Sequence, residues 1–93
     1  MKLVKVTAVW CMSCILMNER LKKIEDENAT NYDTIDYDFD TDSQELEQYN
    51  IGTILPVYIL FDSNSNEIAR SVGENSKKEL NDFFSSNGGI NEN

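Results

Sequence analysis

Two cysteines separated by two residues stand between an apolar segment and an amphipathic one, and this arrangement constrains the fold more than any other feature. Residues 2–9 are mostly apolar and rich in β-branched side chains, which is typical of a strand buried in a sheet. From Cys11 onward the period changes, and apolar side chains recur every three or four residues: Cys14, Met17, Leu21 and Ile24. This spacing predicts an amphipathic helix of about four turns that fades by Asn28. Cys11 and Cys14 are therefore predicted to lie at a strand-to-helix junction.

The middle of the chain predicts a second strand and a second helix. Residues 34–40 alternate acids with apolar or aromatic side chains, so we expect a strand with one buried face and one wet face. Asp42 and Glu45 have the spacing of a capping box that opens a short helix through Tyr49. Gly52 is expected to help end this helix.

The last third of the chain predicts a hairpin followed by a helix. The single proline, Pro56, stands directly before an apolar strand at 57–61, and a polar turn joins that strand to a partner at 67–72. Ser76 and Glu79 form another capping box, which opens a helix that two glycines stop near residue 88. Residues 90–93 are expected to fray.

The order of these elements is β-α-β-α-β-β-α. A strand joined through a helix to the next strand implies a parallel crossover, and the closing hairpin adds an antiparallel edge. We therefore expect an α/β fold with a four-stranded mixed sheet and three helices. At 93 residues the chain has room for a single domain, which we assign to residues 1–93.

Composition excludes several classes of function. Eight basic residues against 17 acidic ones give a net charge of −9, which disfavours nucleic-acid binding. The acids concentrate in residues 25–50, which contain ten acids and no base, and we interpret them as a solvated surface. No apolar stretch approaches the roughly 18 residues of a membrane span, and no cleavable leader is apparent. We expect a cytosolic monomer with neither nucleic-acid nor membrane partners.

The cysteine spacing favours redox chemistry over a metal site. At a helix N-terminus, unpaired N–H groups and the helix dipole favour the thiolate of Cys11, which is the reactive form. Cys14, one turn further on, would lie within disulfide reach. Zinc normally takes four ligands, and this chain has no histidine and no third cysteine, so only a dimer sharing two cysteine pairs could build a closed zinc site. Two buried small apolar side chains remain the plain structural alternative.

The sequence resembles the thioredoxin superfamily over essentially the whole chain, in three features that follow one another in the same order. They are Trp10-Cys11-Met12-Ser13-Cys14 after an apolar strand, Pro56 before the strand at 57–61, and residues 72–80 leading into the last helix. The resemblance implies that Cys11 is the attacking cysteine and Cys14 the resolving one, in a thioredoxin-like fold.

The resemblance also assigns the surroundings of the cysteine pair. Pro56 corresponds to a cis-proline that lies against the disulfide, and Leu55 before it would offer backbone groups to an extended substrate strand. Trp10 corresponds to the tryptophan that borders the redox centre, although filling the end of the core is an equally good account of it.

The sequence departs from the family pattern at three places that bear on the site. Thioredoxins carry one more strand and helix ahead of the site strand. Met12-Ser13 is neither the Gly-Pro of thioredoxins nor the Pro-Tyr of glutaredoxins, so the redox potential is not transferable. Lys5 replaces a buried aspartate; we expect its stem to pack along the sheet and its ammonium to reach solvent on the face that lost a helix, the alternative being that it favours a thiolate.

Together these features predict a protein-disulfide reductase that works through Cys11 and Cys14. Residues 72–75 lack the double glycine and following acid with which glutaredoxins bind glutathione. We expect protein disulfides as substrates, no bound cofactor, and electrons supplied by a reductase or a small thiol. The alternatives are a non-catalytic thioredoxin-like interaction module and a metal-binding dimer.

Overall fold

A computed structural model describes residues 1–91. The helices and strands follow the predicted order, with a 3₁₀ turn and two short strands added. They are β1 (Lys2–Thr7), α1 (Met12–Glu27), β2 (Ala29–Thr30), β3 (Asp33–Asp38), α2 (Ser43–Leu46), a 3₁₀ turn (Glu47–Tyr49), β4 (Val57–Phe61), β5 (Glu67–Val72), α3 (Lys77–Ser86) and β6 (Ile90–Asn91).

The main sheet has four strands in the order β3-β1-β4-β5. β1 pairs parallel with β3 and antiparallel with β4, and β4 pairs antiparallel with β5. The predicted mixed sheet, its parallel crossover and its antiparallel hairpin are therefore confirmed.

Side chains of β1 alternate between two apolar clusters on opposite faces of the sheet. Leu3 packs in one cluster with buried residues of α1 and α3. Val4 and Val6 pack in the other, together with Leu46 of α2 and Tyr49 of the 3₁₀ turn. Successive side chains of a strand point to opposite faces, so α1 and α3 cover one face of the sheet and α2 the other.

The outer strand β3 is more exposed than its alternating pattern predicted. One face was expected to be buried, yet Ile35 remains 36% exposed. The reason is that β3 is an edge strand and α2 is only one turn long. The aromatic side chain of Tyr49 reaches Tyr37, with ring centroids 5.9 Å apart, but α2 and its 3₁₀ turn leave the start of the strand uncovered.

The ends of α2 differ from the prediction. Asp42 is the N-cap, but its side chain caps no helical N–H and accepts a hydrogen bond from the backbone of Asp38 at 2.7 Å instead. At the other end, Asn50 takes the left-handed conformation with φ 54°, so Asn50 rather than Gly52 closes the segment. Ser76 and Glu79, in contrast, form the predicted capping box of α3.

The start of the predicted frayed tail is ordered. Ile90 is 4% exposed and packs with the cluster under α1 and α3. Ile90 and Asn91 pair with Thr30 and Ala29 as a two-stranded antiparallel sheet. The expectation of fraying was wrong for these two residues, because burial of an isoleucine side chain and strand pairing both hold them. Residues 92 and 93 lie outside the described part of the chain.

Across residues 1–91, the helices are either too short or too polar to cross a membrane.

Candidate active site

Cys11 is the N-cap of α1, at the junction that the sequence predicted. Its backbone is extended, with φ −93° and ψ 107°, and its N–H donates to the carbonyl of Ala8 at 3.1 Å. The backbone N–H of Cys14 donates to the sulfur of Cys11 at 3.2 Å. The sulfur thus takes the place of a capping oxygen and accepts one of the N–H groups that the first helical turn leaves unpaired. This contact stabilises negative charge on the Cys11 sulfur.

Both cysteines are free thiols and both are buried, Cys14 more deeply than Cys11. Burial raises the pKa of the Cys14 thiol from 9.0 to about 11. The hydrogen bond to Cys11 and the charge of a Cys11 thiolate act in the same direction, while a backbone hydrogen bond with Ala8 opposes them. Cys14 therefore holds its proton at neutral pH.

Leu55 and Pro56 directly precede β4. Leu55 is buried in the same apolar cluster as Cys11 and Cys14, and the Leu55–Pro56 peptide bond is cis, as the resemblance implied. The carbonyl of Pro56 accepts a hydrogen bond from Gly73 at 2.8 Å, which ties the start of β4 to the end of β5. Within residues 1–91, neither the amide nor the carbonyl of Leu55 pairs with another backbone group.

Trp10 lies on the surface and does not fill the end of the core. Its side chain is 61% exposed, and its indole N–H donates to the carboxylate of Asp40 at 2.7 Å. Its ring also meets Phe39 edge-on, with centroids 6.4 Å apart. This exposure argues against the account in which Trp10 fills the end of the core, and its role beside the cysteine pair stays a prediction.

Lys5 lies on the opposite face of the sheet from the one we expected. It lies directly across from Tyr58 on β4, and Tyr58 belongs to the cluster covered by α1 and α3. The Lys5 side chain is only 16% exposed, and its Nζ lies 3.5 Å from Oδ1 of Asp36 and 5.9 Å from the centre of the Tyr58 ring. The cause is strand parity: Lys5 shares its face with Leu3, and α1 covers that face. Its charge is neutralised by Asp36 rather than screened by solvent on an open face.

The rim of the site is apolar. Met12 and Ser13 occupy the first turn of α1, where Met12 is largely exposed and Ser13 is half-buried. Ile54, which precedes Leu55, is also exposed, and its Cγ2 lies 3.2 Å from where a Cβ at Gly73 would stand. Gly73 has φ +86°, a conformation that favours glycine. Gly73, which has no side chain, therefore leaves room for Ile54 next to the end of β5.

Sequence analysis did not predict two residues that lie near the site. Asp40, the partner of Trp10, lies 30 residues away in the sequence and belongs to a run of evenly spaced acids, so nothing local singles it out. Tyr58 is fully buried, and its hydroxyl lies 3.3 Å from the side-chain oxygen of Asn18 on α1. The apolar strand pattern predicted that Tyr58 is buried, but it did not predict the contact of its hydroxyl with Asn18.

Among residues 1–91, no three side chains of Cys, Asp or Glu come together in an arrangement that could hold a metal ion.

Comparison with known proteins supports the family that the site geometry indicates. The Thioredoxin family model matches residues 1–86. Trxlp of Edwardsiella tarda EIB202 is 30% identical in sequence, with a TM-score of 0.75, over 87% of this chain and 78% of that one. No curated protein sequence gives a significant match.

More distant structures show the same fold. Thioredoxin-2, a component of the malaria parasite protein secretion machinery, is 19% identical with a TM-score of 0.77, over 90% of this chain and 80% of that one. A reduced Schistosoma mansoni thioredoxin pre-protein is 23% identical with a TM-score of 0.72, over 91% of this chain and 76% of that one. With the cysteine pair at the N-terminus of α1 and a family match over nearly its whole length, this chain belongs to the thioredoxin family.

Proposed function

We propose that this protein is a thiol–disulfide oxidoreductase that reduces disulfide bonds in other proteins through Cys11 and Cys14. The observation that carries the proposal is the hydrogen bond from the Cys14 N–H to the Cys11 sulfur at the start of α1. It supplies a donor to the sulfur that must become negatively charged. The family membership supports a redox function in general.

The first step is attack of the Cys11 thiolate on one sulfur of a substrate disulfide. The substrate S–S bond breaks, a bond forms between Cys11 and that sulfur, and the other substrate sulfur leaves as a thiolate that takes up a proton. Leu55 supports this step, because it shares an apolar cluster with the cysteines, and its amide and carbonyl have no backbone partner within residues 1–91 and can bind an extended substrate strand.

The second step is attack of Cys14 on the Cys11 sulfur. Cys14 loses its proton and forms a disulfide bond with Cys11 as the mixed disulfide breaks. The second substrate sulfur leaves as a thiolate that takes up a proton, so two electrons have passed from the cysteine pair to the substrate. The negative charge that opposes ionisation of Cys14 disappears once Cys11 is bonded to substrate, which removes one cause of its high pKa.

We further propose that the protein works as a monomer in the cytosol. A reductase or a small thiol of the cell would return the Cys11–Cys14 disulfide to the dithiol state. A reducing compartment suits a chain whose only two cysteines form an exchangeable pair and leave none for a structural disulfide. Trp10, Met12 and Ser13 would contact the substrate or adjust the potential of the pair.

Insulin reduction with dithiothreitol as the electron donor tests this function. Wild type should accelerate the turbidity of reduced insulin, Cys11→Ser should abolish the acceleration, and Ser63→Ala in an exposed turn serves as the control. Cys14→Ser should accumulate a mixed disulfide with insulin that Cys11→Ser does not form. Equal turbidity rates for wild type and Cys11→Ser would contradict the proposal and favour a non-catalytic module. A zinc-bound dimer of the wild type would favour the metal site.

A further inference from the structure

A cavity of about 570 Å³ opens between the end of β3 and the segment that runs from α2 to Ile51. Its floor is apolar and is formed by Phe39, Leu46 and Ile51, and the carboxylates of Asp40 and Glu47 stand among its walls. It belongs to neither the cysteine pair nor the segment around Leu55. It is therefore a second concave surface beside the candidate active site.

Trp10 connects this cavity to the cysteines. Its indole N–H holds Asp40 at 2.7 Å, and its ring lies edge-on to Phe39, so it touches two of the residues that line the cavity. Because one Cα–Cα step of about 3.8 Å joins Trp10 to Cys11 and the Trp10 side chain reaches Asp40, the cavity lies on the order of 10 Å from the Cys11 sulfur. An extended polypeptide covers that distance in about three residues.

The charges of the cavity have no cationic partner in the described chain. Within residues 1–91, no basic side chain forms an ion pair with Asp40 or Glu47. The guanidinium of Arg70 donates to the carbonyl of Asn50, a residue that lines the cavity, at 3.4 Å. Arg70 is already paired with Glu67 at 2.8 Å. The cavity therefore presents uncompensated negative charge above an apolar floor.

We propose that this cavity binds a lysine or arginine side chain of the substrate, within about three residues of the cysteine that Cys11 attacks. Lysine and arginine carry an apolar stem and a cationic end, which match the floor and the carboxylates respectively. The net charge of −9 attracts cationic partners to the protein as a whole. The inference rests on the proposed function and narrows its substrates to disulfides flanked by basic residues.

Heptapeptides with one central cysteine provide the test. The cysteine is carried as a mixed disulfide with thionitrobenzoate, and lysine, glutamine or glutamate is placed in turn at each of the three positions on either side. In the Cys14→Ser background, attack by Cys11 forms a stable peptide–Cys11 disulfide and releases the coloured thiolate, which gives a second-order rate for each peptide. The double variant Cys11→Ser/Cys14→Ser is the blank.

We expect lysine at one or more positions to raise the rate about fivefold over glutamine at low salt, and glutamate to lower it. The ratio of the lysine rate to the glutamine rate should fall toward one in Asp40→Asn and in Glu47→Gln. It should also fall toward one at high salt in the protein that keeps both carboxylates. In Glu47→Lys the preference should invert toward glutamate. Asp26→Asn and Glu19→Gln remove the same charge from exposed positions on α1 and should keep the lysine preference.

Three outcomes would overturn the inference: a lysine-to-glutamine ratio of one at every position, a ratio that survives Asp40→Asn and Glu47→Gln, or an equal fall of the ratio in Asp26→Asn and Glu19→Gln. The last outcome would show that the lysine preference comes from the overall charge of the protein and not from the cavity. Release of thionitrobenzoate at the rate of the blank, with every peptide, would instead contradict the proposed function itself. Circular dichroism of each variant confirms that it is folded.

Discussion

The backbone N–H of Cys14 donates to the sulfur of Cys11 across the first turn of α1, over a distance of 3.2 Å. The two thiols thus have different surroundings although only two residues separate them. The Cys11 sulfur accepts a hydrogen bond from a helical N–H at the N-terminus of α1, whereas the Cys14 side chain lies deeper, at 2% exposure. The asymmetry that dithiol exchange needs is therefore built into the helix start.

Selective alkylation of Cys11 is the first expected consequence. Because the pKa of Cys14 is raised to about 11, few of its thiols are ionised at pH 7.5, and the thiolate is the form that reacts with iodoacetamide. The reduced protein should label at Cys11 at least about tenfold faster, and labelling of Cys14 should rise roughly tenfold per pH unit until its pKa is reached. Fragment-ion mapping of the peptide that contains both cysteines measures this. Faster labelling of Cys14 would reverse the two roles.

Replacing Lys5 should change the redox potential little. Its ammonium pairs with Asp36, 3.5 Å away, and it is not among the groups that shift the pKa of Cys14. We expect Lys5→Met to shift the potential by less than about 15 mV, and Lys2→Met on the same strand to do the same. A glutathione redox titration measures both. A fall of about 30 mV or more for Lys5→Met alone would show that its charge stabilises a thiolate.

Local sequence patterns were sufficient to predict the strand-to-helix junction at Cys11 and the strand that begins after Pro56, because each depends on neighbouring residues. They were insufficient for contacts set by topology. The bond between Trp10 and Asp40 joins residues that only strand pairing brings together. Lys5 illustrates the same limit: alternation shows that it shares a face with Leu3, but only the packing of α1 shows which face that is.

Ile90 should contribute substantially to stability, although it lies three residues from the end of the chain. Its side chain is 4% exposed, so Ile90→Ala leaves a cavity in the cluster under α1 and α3. We expect the free energy of unfolding to fall by about 2–4 kcal/mol. Ile68→Ala, at a site that is 40% exposed, should cost less than about 1 kcal/mol. Urea denaturation compares the two, and equal losses would mean that β6 adds nothing to the core.

Gly73 should tolerate substitution poorly compared with Gly52. A Cβ at Gly73 would lie 3.2 Å from Cγ2 of Ile54, and the residue has φ +86°, whereas nothing lies within 4 Å of a Cβ at Gly52. We expect Gly73→Ala to lower the free energy of unfolding by about 1–3 kcal/mol and Gly52→Ala by less than about 0.5 kcal/mol. Urea denaturation of both variants measures this, and equal effects would show that the rim beside Ile54 accommodates a side chain.

Stability at alkaline pH should depend on Tyr58. Burial raises the pKa of Tyr58 above its usual 10.0, and the charges of Cys14, Glu25 and Asp36 add to the shift. The folded protein therefore keeps this proton above pH 10 while the unfolded chain loses it, so the free energy of unfolding falls as pH rises, by up to about 1.4 kcal/mol per pH unit for this group. Tyr58→Phe removes that proton from both states.

At pH 8 the Tyr58→Phe substitution should lower the free energy of unfolding by no more than about 1 kcal/mol, because the hydroxyl contact with Asn18 is lost. Above pH 10 the free energy of unfolding of the variant should fall less steeply than that of wild type. Urea midpoints from pH 8 to 11 under reducing conditions give both curves, and parallel curves would contradict the raised pKa.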